Sequence, residues 1–223
     1  MLTSSFMKSK TCLFLVAVML LFVVDSCQHR YPVSLVEADS LVYSNPKAAL
    51  QKLDSISFHL DTTEKADVMY LRLLKMTVKD KLNYPLTNLT EVCQLVDYYK
   101  VNCDQCLLAR SYYLMGRIAF NLYDIARALS CFHKVLNILD ENENLELRSI
   151  VYAQIGYVYS KQNNLLLAQK YYQKAYHYSC QRKDTLGMLY GLRDMAMTYD
   201  YGGDKKKAIR TFVKATNLMG NVR

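Results

Sequence analysis

The chain has 223 residues, of which 52% are hydrophobic and 22% are charged, and this balance excludes a disordered polypeptide. Its seven glycines and three prolines are too few for the many tight turns of a sheet-rich protein. The net charge of +8 would suit a nucleic-acid or acidic-lipid partner. The basic residues are spread along the chain, however, apart from one short run at residues 205–207, so we expect no nucleic-acid binding.

The first predicted element is an export signal. Two basic residues, Lys8 and Lys10, precede an unbroken apolar run at residues 12–24. This run is too short to cross ~30 Å of hydrocarbon as a helix, and it has the length of the apolar region of a signal peptide. We therefore predict a signal peptide over residues 1–26.

Cys27 follows the apolar run almost directly. This placement resembles the signal of bacterial lipoproteins, in which the cysteine becomes the N-terminus and is lipidated. Several acyl chains would hold the protein on a membrane, because each buried CH₂ contributes ~0.8 kcal/mol. Residues 28–30 are not acidic, which favours a periplasm-facing lipoprotein over one displayed on the outer surface. An ordinary secretory signal and an uncleaved anchor are the two alternatives.

Residues 27–105 predict degenerate helical hairpins. Asn45 followed by Pro46 is typical of a helix N-terminus. Apolar residues then continue at helical spacing, at Ala49, Leu53 and Ile56. Residues 64–79 and residues 89–99 predict two further helices, because their apolar residues also recur every three or four positions.

Cys103 and Cys106 form a Cys-x-x-Cys pair just before a predicted helix. Reactive cysteine pairs lie at helix N-termini, so a disulfide or redox pair is one interpretation. A zinc site completed by Cys131 and His133 is a second interpretation, and unreactive thiols beside a helix are the third. No strand is predicted before the pair, as a thioredoxin-like unit would require, which favours the third interpretation.

Residues 106–223 contain three copies of one pattern, each 40 residues from the next. A small residue recurs at Gly116, Gly156 and Ala196. An alanine, an aromatic residue and a further small or apolar residue follow in the same register, at Ala128, Ala168 and Ala208, at Phe132, Tyr172 and Phe212, and at Val135, Ala175 and Ala215. Such an internal repeat is the signature of a solenoid.

Each copy predicts two antiparallel helices joined by a short turn. Around the small residue, the helix-packing positions recur at i, i+3, i+4 and i+7, which is one face of a helix. The alanine and the aromatic residue belong to a second helix, and the small residue lets the two helices approach closely. Asp124, Asn164 and Asp204 precede the second helix, where each side chain would cap its N-terminus.

These positions resemble the tetratricopeptide repeat, whose first helix carries an aromatic residue, Leu-Gly and Tyr, and whose second helix carries Ala, Phe and Ala. The resemblance covers about residues 109–219 and implies an all-α, right-handed superhelical solenoid of about five antiparallel helix pairs. The period of 40 residues exceeds the usual period of about 34. We expect the extra residues in the second helix or in the linker after it, because the distance from the small residue to the alanine is constant.

With its N-terminal signal, the chain resembles exported bacterial tetratricopeptide-repeat lipoproteins, and this resemblance implies a function. In the family, the first helices line a concave groove that binds a protein or peptide. The matching positions here are Arg110, Tyr113, Arg117, Phe120, Asn121, Tyr157, Lys161, Tyr190 and Arg193. Tyr and Arg are enriched among residues that dominate binding energy. We therefore predict a protein-binding scaffold; the alternative is the sensory input half of a truncated membrane-associated regulator.

Catalytic signatures are missing from the sequence. It contains no His-Glu-x-x-His motif, no glycine-rich phosphate loop and no Gly-x-Ser-x-Gly elbow. We therefore expect a protein that is not an enzyme and that carries no cofactor and no metal ion.

The last predicted helix carries Ile209, Val213 and Leu218 on a face that the next repeat of a solenoid would cover. We therefore expect either that the natural protein continues or that this uncapped C-terminal repeat associates with another chain.

Overall fold

A computed structural model describes residues 31–220 of the protein. The predicted signal peptide and Cys27 lie outside these residues. Between residues 31 and 220 the chain forms ten α-helices and no β-strand. The helices are α1 (Val33–Leu41), α2 (Pro46–His59), α3 (Lys65–Lys81), α4 (Leu89–Val101), α5 (Gln105–Asn121), α6 (Ile125–Ile138), α7 (Leu145–Lys161), α8 (Leu165–Gln181), α9 (Thr185–Tyr201) and α10 (Lys205–Gly220).

Consecutive helices form five pairs, from α1 and α2 to α9 and α10, and the members of each pair pack against one another. This is the predicted all-α, right-handed superhelical solenoid of antiparallel pairs, so the predicted fold class is confirmed. The helices predicted at residues 64–79 and 89–99 are present as α3 and α4, and each ends two residues later than expected.

The predicted caps of the second helices are confirmed. The side chains of Asp124, Asn164 and Asp204 accept a hydrogen bond from the backbone N–H three residues further on, at 3.0, 3.2 and 3.0 Å. Asn45 caps α2 in the same way, and Pro46 is the first residue of that helix. Each of these bonds satisfies a backbone N–H that the helix itself leaves without a partner.

The first helices of the three repeats are capped by the same device, which the sequence interpretation missed. Asp104, Asn144 and Asp184 are also 40 residues apart, and each accepts a hydrogen bond from a backbone N–H in the first turn, at 2.9, 3.2 and 3.0 Å. Both helices of every 40-residue unit therefore begin at an Asp or Asn.

The extra length of the repeat is distributed differently in two successive copies. Helix α6 has 14 residues and ends at Ile138, and a six-residue connection separates it from α7. Helix α8 has 17 residues and ends at Gln181, and only three residues separate it from α9. The second copy therefore has three more residues in its second helix and three fewer in the linker that follows, and the period of 40 residues is unchanged.

Glycine lets the two helices of a pair approach each other. A Cβ atom added at Gly116 would lie 2.6 Å from Cε1 of Phe132, and one added at Gly156 would lie 2.8 Å from Cδ1 of Tyr172. Both rings are almost completely buried. The aromatic residue of each second helix therefore packs directly on the glycine of its first helix, which explains why these two positions recur together.

The first helices line the concave side of the solenoid. Helix α3 contacts α1 and α5, and α7 contacts α5 and α9. Between residues 31 and 220, by contrast, no two second helices bring their backbones this close, although the His133 ring of α6 lies 6.3 Å from the Tyr171 ring of α8. Because successive first helices are closer together than successive second helices, the solenoid curves towards the first helices. None of the helices in this part of the chain is both long and apolar enough to cross a membrane.

The outer face of α10 is uncovered in the described residues. Phe212 is 40% exposed, although Phe132 and Tyr172 at the same repeat position are 0% and 4% exposed. Ile209 and Val213 are also exposed, while Leu218 is partly buried. Association of this face with another chain stays a prediction.

Candidate protein-binding face

An ion pair joins α1, the first helix of the solenoid, to α5 in the third helix pair. The guanidinium of Arg110 in α5 donates to both carboxylate oxygens of Asp39 in α1, at 2.8 and 2.7 Å. The Tyr70 hydroxyl in α3 donates to the same carboxylate at 2.7 Å. Burial and the neighbouring Asp39 charge raise the pKa of Tyr70, which keeps its proton available for this bond.

A second polar cluster joins α3, α5 and α7. The carboxylate of Asp80 accepts hydrogen bonds from the Tyr113 hydroxyl and from Nε of Arg117, both at 2.8 Å. Arg117 also donates through Nη1 to Oε1 of Gln154 at 2.6 Å. Burial is the main cause of the raised pKa of Tyr113. Because each buried polar group here has a partner, the cluster fixes the spacing of three first helices.

Two of the predicted groove residues are therefore internal. Arg110 and Tyr113 are only 7% and 4% exposed, and their polar atoms are bonded to Asp39 and Asp80. They leave little surface for a partner, and their observed contacts hold first helices together. Arg117 is intermediate, because it belongs to the second cluster and also lines a surface cleft.

The other predicted residues form an accessible surface, which we call the inner tyrosine face. The rings of Phe120 and Tyr157 lie 5.4 Å apart between centroids, joining α5 to α7. A cation lies beside each tyrosine: Nζ of Lys161 is 5.2 Å from the Tyr157 ring centroid, and Arg193 is 4.9 Å from that of Tyr190. The inner tyrosine face consists of Phe120, Asn121, Tyr157, Lys161, Tyr190 and Arg193.

The sequence interpretation missed a further aromatic and cationic contact near the start of the solenoid. Nζ of Lys81 lies 4.4 Å from the ring centroid of Tyr43. Burial lowers the pKa of the Lys81 ammonium group and raises that of the Tyr43 hydroxyl to about 12. No local pattern could indicate this pair, because Tyr43 follows α1 and Lys81 ends α3.

Two of the three candidate cysteines, Cys106 and Cys131, have the raised pKa of unreactive thiols. Cys103, Cys106 and Cys131 are free, and burial raises the pKa of Cys106 and of Cys131. A raised pKa lowers the fraction of thiolate, which is the nucleophile and metal ligand. Among residues 31–220, no three His, Cys, Asp or Glu side chains come together as a metal site.

Comparison with known proteins identifies the repeat. The family model described as "Tetratricopeptide repeat" matches residues 109–138 and 150–177, which are the pairs α5–α6 and α7–α8. The chain contains tetratricopeptide repeats. No curated protein sequence matches it.

Solved structures share the fold of this tetratricopeptide-repeat protein. MamA is 15% identical with a TM-score of 0.51, covering 82% of this chain and 95% of its own. BtubC (BKLC) from P. vanneervenii is 13% identical with a TM-score of 0.58, covering 83% and 75%. A Podospora anserina kinesin light chain with nearly identical TPR-like repeats is 10% identical with a TM-score of 0.56, covering 85% and 95%. Repeats of this family generally mediate protein–protein binding, and such scaffolds are typically not enzymes.

Proposed function

We propose that this tetratricopeptide-repeat protein is a scaffold that binds a protein or peptide through the inner tyrosine face. The observation that carries the proposal is the Phe120–Tyr157 pair with Lys161 beside it. Tyr157 is 39% exposed although it lies on the concave side, where the bonded clusters bury other large side chains. An accessible tyrosine flanked by a cation offers apolar area, a hydroxyl and a charge to one ligand.

We predict that Tyr157→Ala will weaken binding of the natural partner roughly thirtyfold, because a central aromatic contact contributes about 2 kcal/mol. The partner is first identified by mass spectrometry after photo-cross-linking from an amino acid placed at position 157. The dissociation constants of wild type and variant are then compared. The melting temperature should fall only slightly, since the side chain is 39% exposed and loses mainly its contact with Phe120.

Phe58→Ala is the matched control, because Phe58 is also aromatic and 83% exposed but belongs to α2, a second helix. It should bind as wild type does. If Phe58→Ala weakened binding as much as Tyr157→Ala, or if only position 58 cross-linked, the partner would bind the outer side.

We further propose that the protein is exported and held on a membrane, facing the periplasm, by lipid on Cys27. The support is the sequence before α1: basic Lys8 and Lys10, the apolar run at residues 12–24, and a cysteine three residues after the end of that run. An anchored scaffold would hold its partner near the membrane surface.

We predict that Cys27→Ser will either abolish partition into detergent or leave an uncleaved precursor of higher mass, because the serine cannot receive the acyl chains that supply the membrane affinity. Phase separation and intact mass of the protein from membranes are the measurements. Cys103→Ser is the control, since Cys103 is an exposed free thiol, and it should partition like wild type. A wild-type protein that stays aqueous, with unmodified residues at its N-terminus, would refute the anchor.

A further inference from the structure

The connection between α3 and α4 contains an insertion that the other repeats lack. Asn83, Tyr123, Asn163 and Gly203 are 40 residues apart, and all four have left-handed backbones, with φ of 59°, 62°, 58° and 82°. In the three later units the second helix begins two residues after this position. After Asn83, however, α4 begins six residues later, at Leu89. Residues 84–87 are therefore four additional residues in an otherwise regular turn.

The insertion forms part of a cleft of about 390 Å³. The backbone carbonyl of Leu86, within the insertion, accepts a hydrogen bond from Nδ2 of Asn121 at 3.1 Å. This bond fixes the insertion against the end of α5. The lining residues come from the two adjacent turns and from the last part of α5, and they are Asn83, Tyr84, Pro85, Thr87, Arg117, Phe120, Asn121 and Tyr123.

Tyr123 occupies its left-handed position at a cost. An L-residue in this region brings its Cβ too close to a backbone carbonyl oxygen, a clash that Asn and Gly largely avoid. The equivalent residues in the repeat are Asn83, Asn163 and Gly203, so only this turn carries a bulky side chain there. The Tyr123 side chain is 89% exposed, so packing within the protein does not offset the cost. Cys103 and Lys183 have the same backbone at the ends of second helices, so it is the exposed aromatic ring beside the cleft that points to a ligand.

The cleft offers aromatic rings and hydrogen-bond donors. Tyr84, Phe120 and Tyr123 supply the rings. Arg117 uses Nε and Nη1 for Asp80 and Gln154, and its Nη2 makes no hydrogen bond with the residues that the structure describes. Asn and Thr side chains and two tyrosine hydroxyls add further donors, whereas none of the lining residues is a carboxylate. The complementary ligand has apolar rings or surfaces and is rich in acceptors.

We propose that this cleft binds a proline-rich segment of the partner protein in the polyproline II conformation. The proposal rests on the function proposed above and names the chemistry of the partner. Proline has no N–H, and a polyproline II helix makes no internal hydrogen bonds, so its carbonyl groups need donors from outside. Aromatic-lined grooves recognise such segments. An oligosaccharide also presents hydroxyl donors, so it would favour a cleft with carboxylate acceptors. The lining side chains offer only amide and hydroxyl oxygens as acceptors.

The test uses the full chain in detergent and two ten-residue peptides, one of repeated Pro-Pro-Ala and one with every proline replaced by alanine. We expect the proline peptide to bind at least about tenfold more tightly. Tyr123→Gly should abolish that preference without lowering the melting temperature, because glycine accepts the left-handed backbone, as Gly203 does. Tyr84→Ala should weaken proline-peptide binding as well. Tyr201→Ala, a change at an exposed tyrosine of α9, should have no effect.

Equal binding of the two peptides, or a proline preference that survives Tyr123→Gly, would overturn the proposal. Competition by a mixed oligosaccharide library that removes bound peptide from wild type would assign the cleft to sugars instead. Partner binding that is lost in Tyr157→Ala but unaffected by Tyr123→Gly would refute the cleft and leave the scaffold function in place. Partner binding unaffected by Tyr157→Ala would refute the inner tyrosine face itself.

Discussion

Replacing Phe132 with alanine is expected to lower the free energy of unfolding by about 3–5 kcal/mol. The side chain is completely buried, its ring lies against Gly116, and its centroid is 6.2 Å from that of Tyr113. Alanine would remove this ring from the contact between α5 and α6, and the glycine opposite has no side chain that could fill the cavity. Urea denaturation followed by circular dichroism measures the loss.

Phe212→Ala is the matched control for this prediction. Phe212 occupies the same repeat position in α10 but is 40% exposed, so less apolar area returns to water and no closed cavity forms. We expect less than half of the loss found for Phe132→Ala. Equal losses at the two positions would contradict the repeat register, or would mean that another chain covers Phe212.

Replacing Arg110 with methionine is expected to cost about 3 kcal/mol, because it leaves the Asp39 carboxylate with only Tyr70 as a partner. We place the loss at the lower end of the range for broken buried pairs, because the Asp39 side chain is 25% exposed to solvent. The double variant Arg110→Met, Asp39→Leu should recover most of the stability, because it removes both charges together. Thermal and urea unfolding of the two single variants and the double variant give the coupling energy.

Arg193→Met serves as the control, because the Arg193 side chain is 52% exposed and pairs with Asp194. An exposed pair contributes ~1 kcal/mol or less. If Arg193→Met were as destabilising as Arg110→Met, or if the double variant were the least stable protein, the ion pair would not be what joins α1 to α5.

The local rules of the repeat could be predicted from the sequence. The caps at Asp124, Asn164 and Asp204 and the glycine positions are short-range features, each determined by a turn or by one pair of helices. The caps of the first helices at Asp104, Asn144 and Asp184 were equally visible, since they repeat at the same interval.

The polar clusters could not be predicted. Arg110 and Asp39 are 71 residues apart, and no periodic pattern relates α1 to α5. The repeat register places Arg110 and Tyr113 on a first helix, but it does not say whether a concave side chain meets a partner or a neighbouring first helix. That depends on how closely the first helices approach each other, which is a property of the assembled solenoid.

The pattern of contacts between helices also determines how the chain can open. Among the described residues, α10 contacts α9 alone, and its outer face is exposed. Helix α1 packs on α2 and α3 and is also tied to α5 by the Asp39–Arg110 pair. In an array held by nearest-neighbour contacts, each part opens at its own free energy. Amide hydrogens of α10 should therefore exchange with solvent well before those of α3 and α5, which open only with the cooperative block that the two polar clusters hold together.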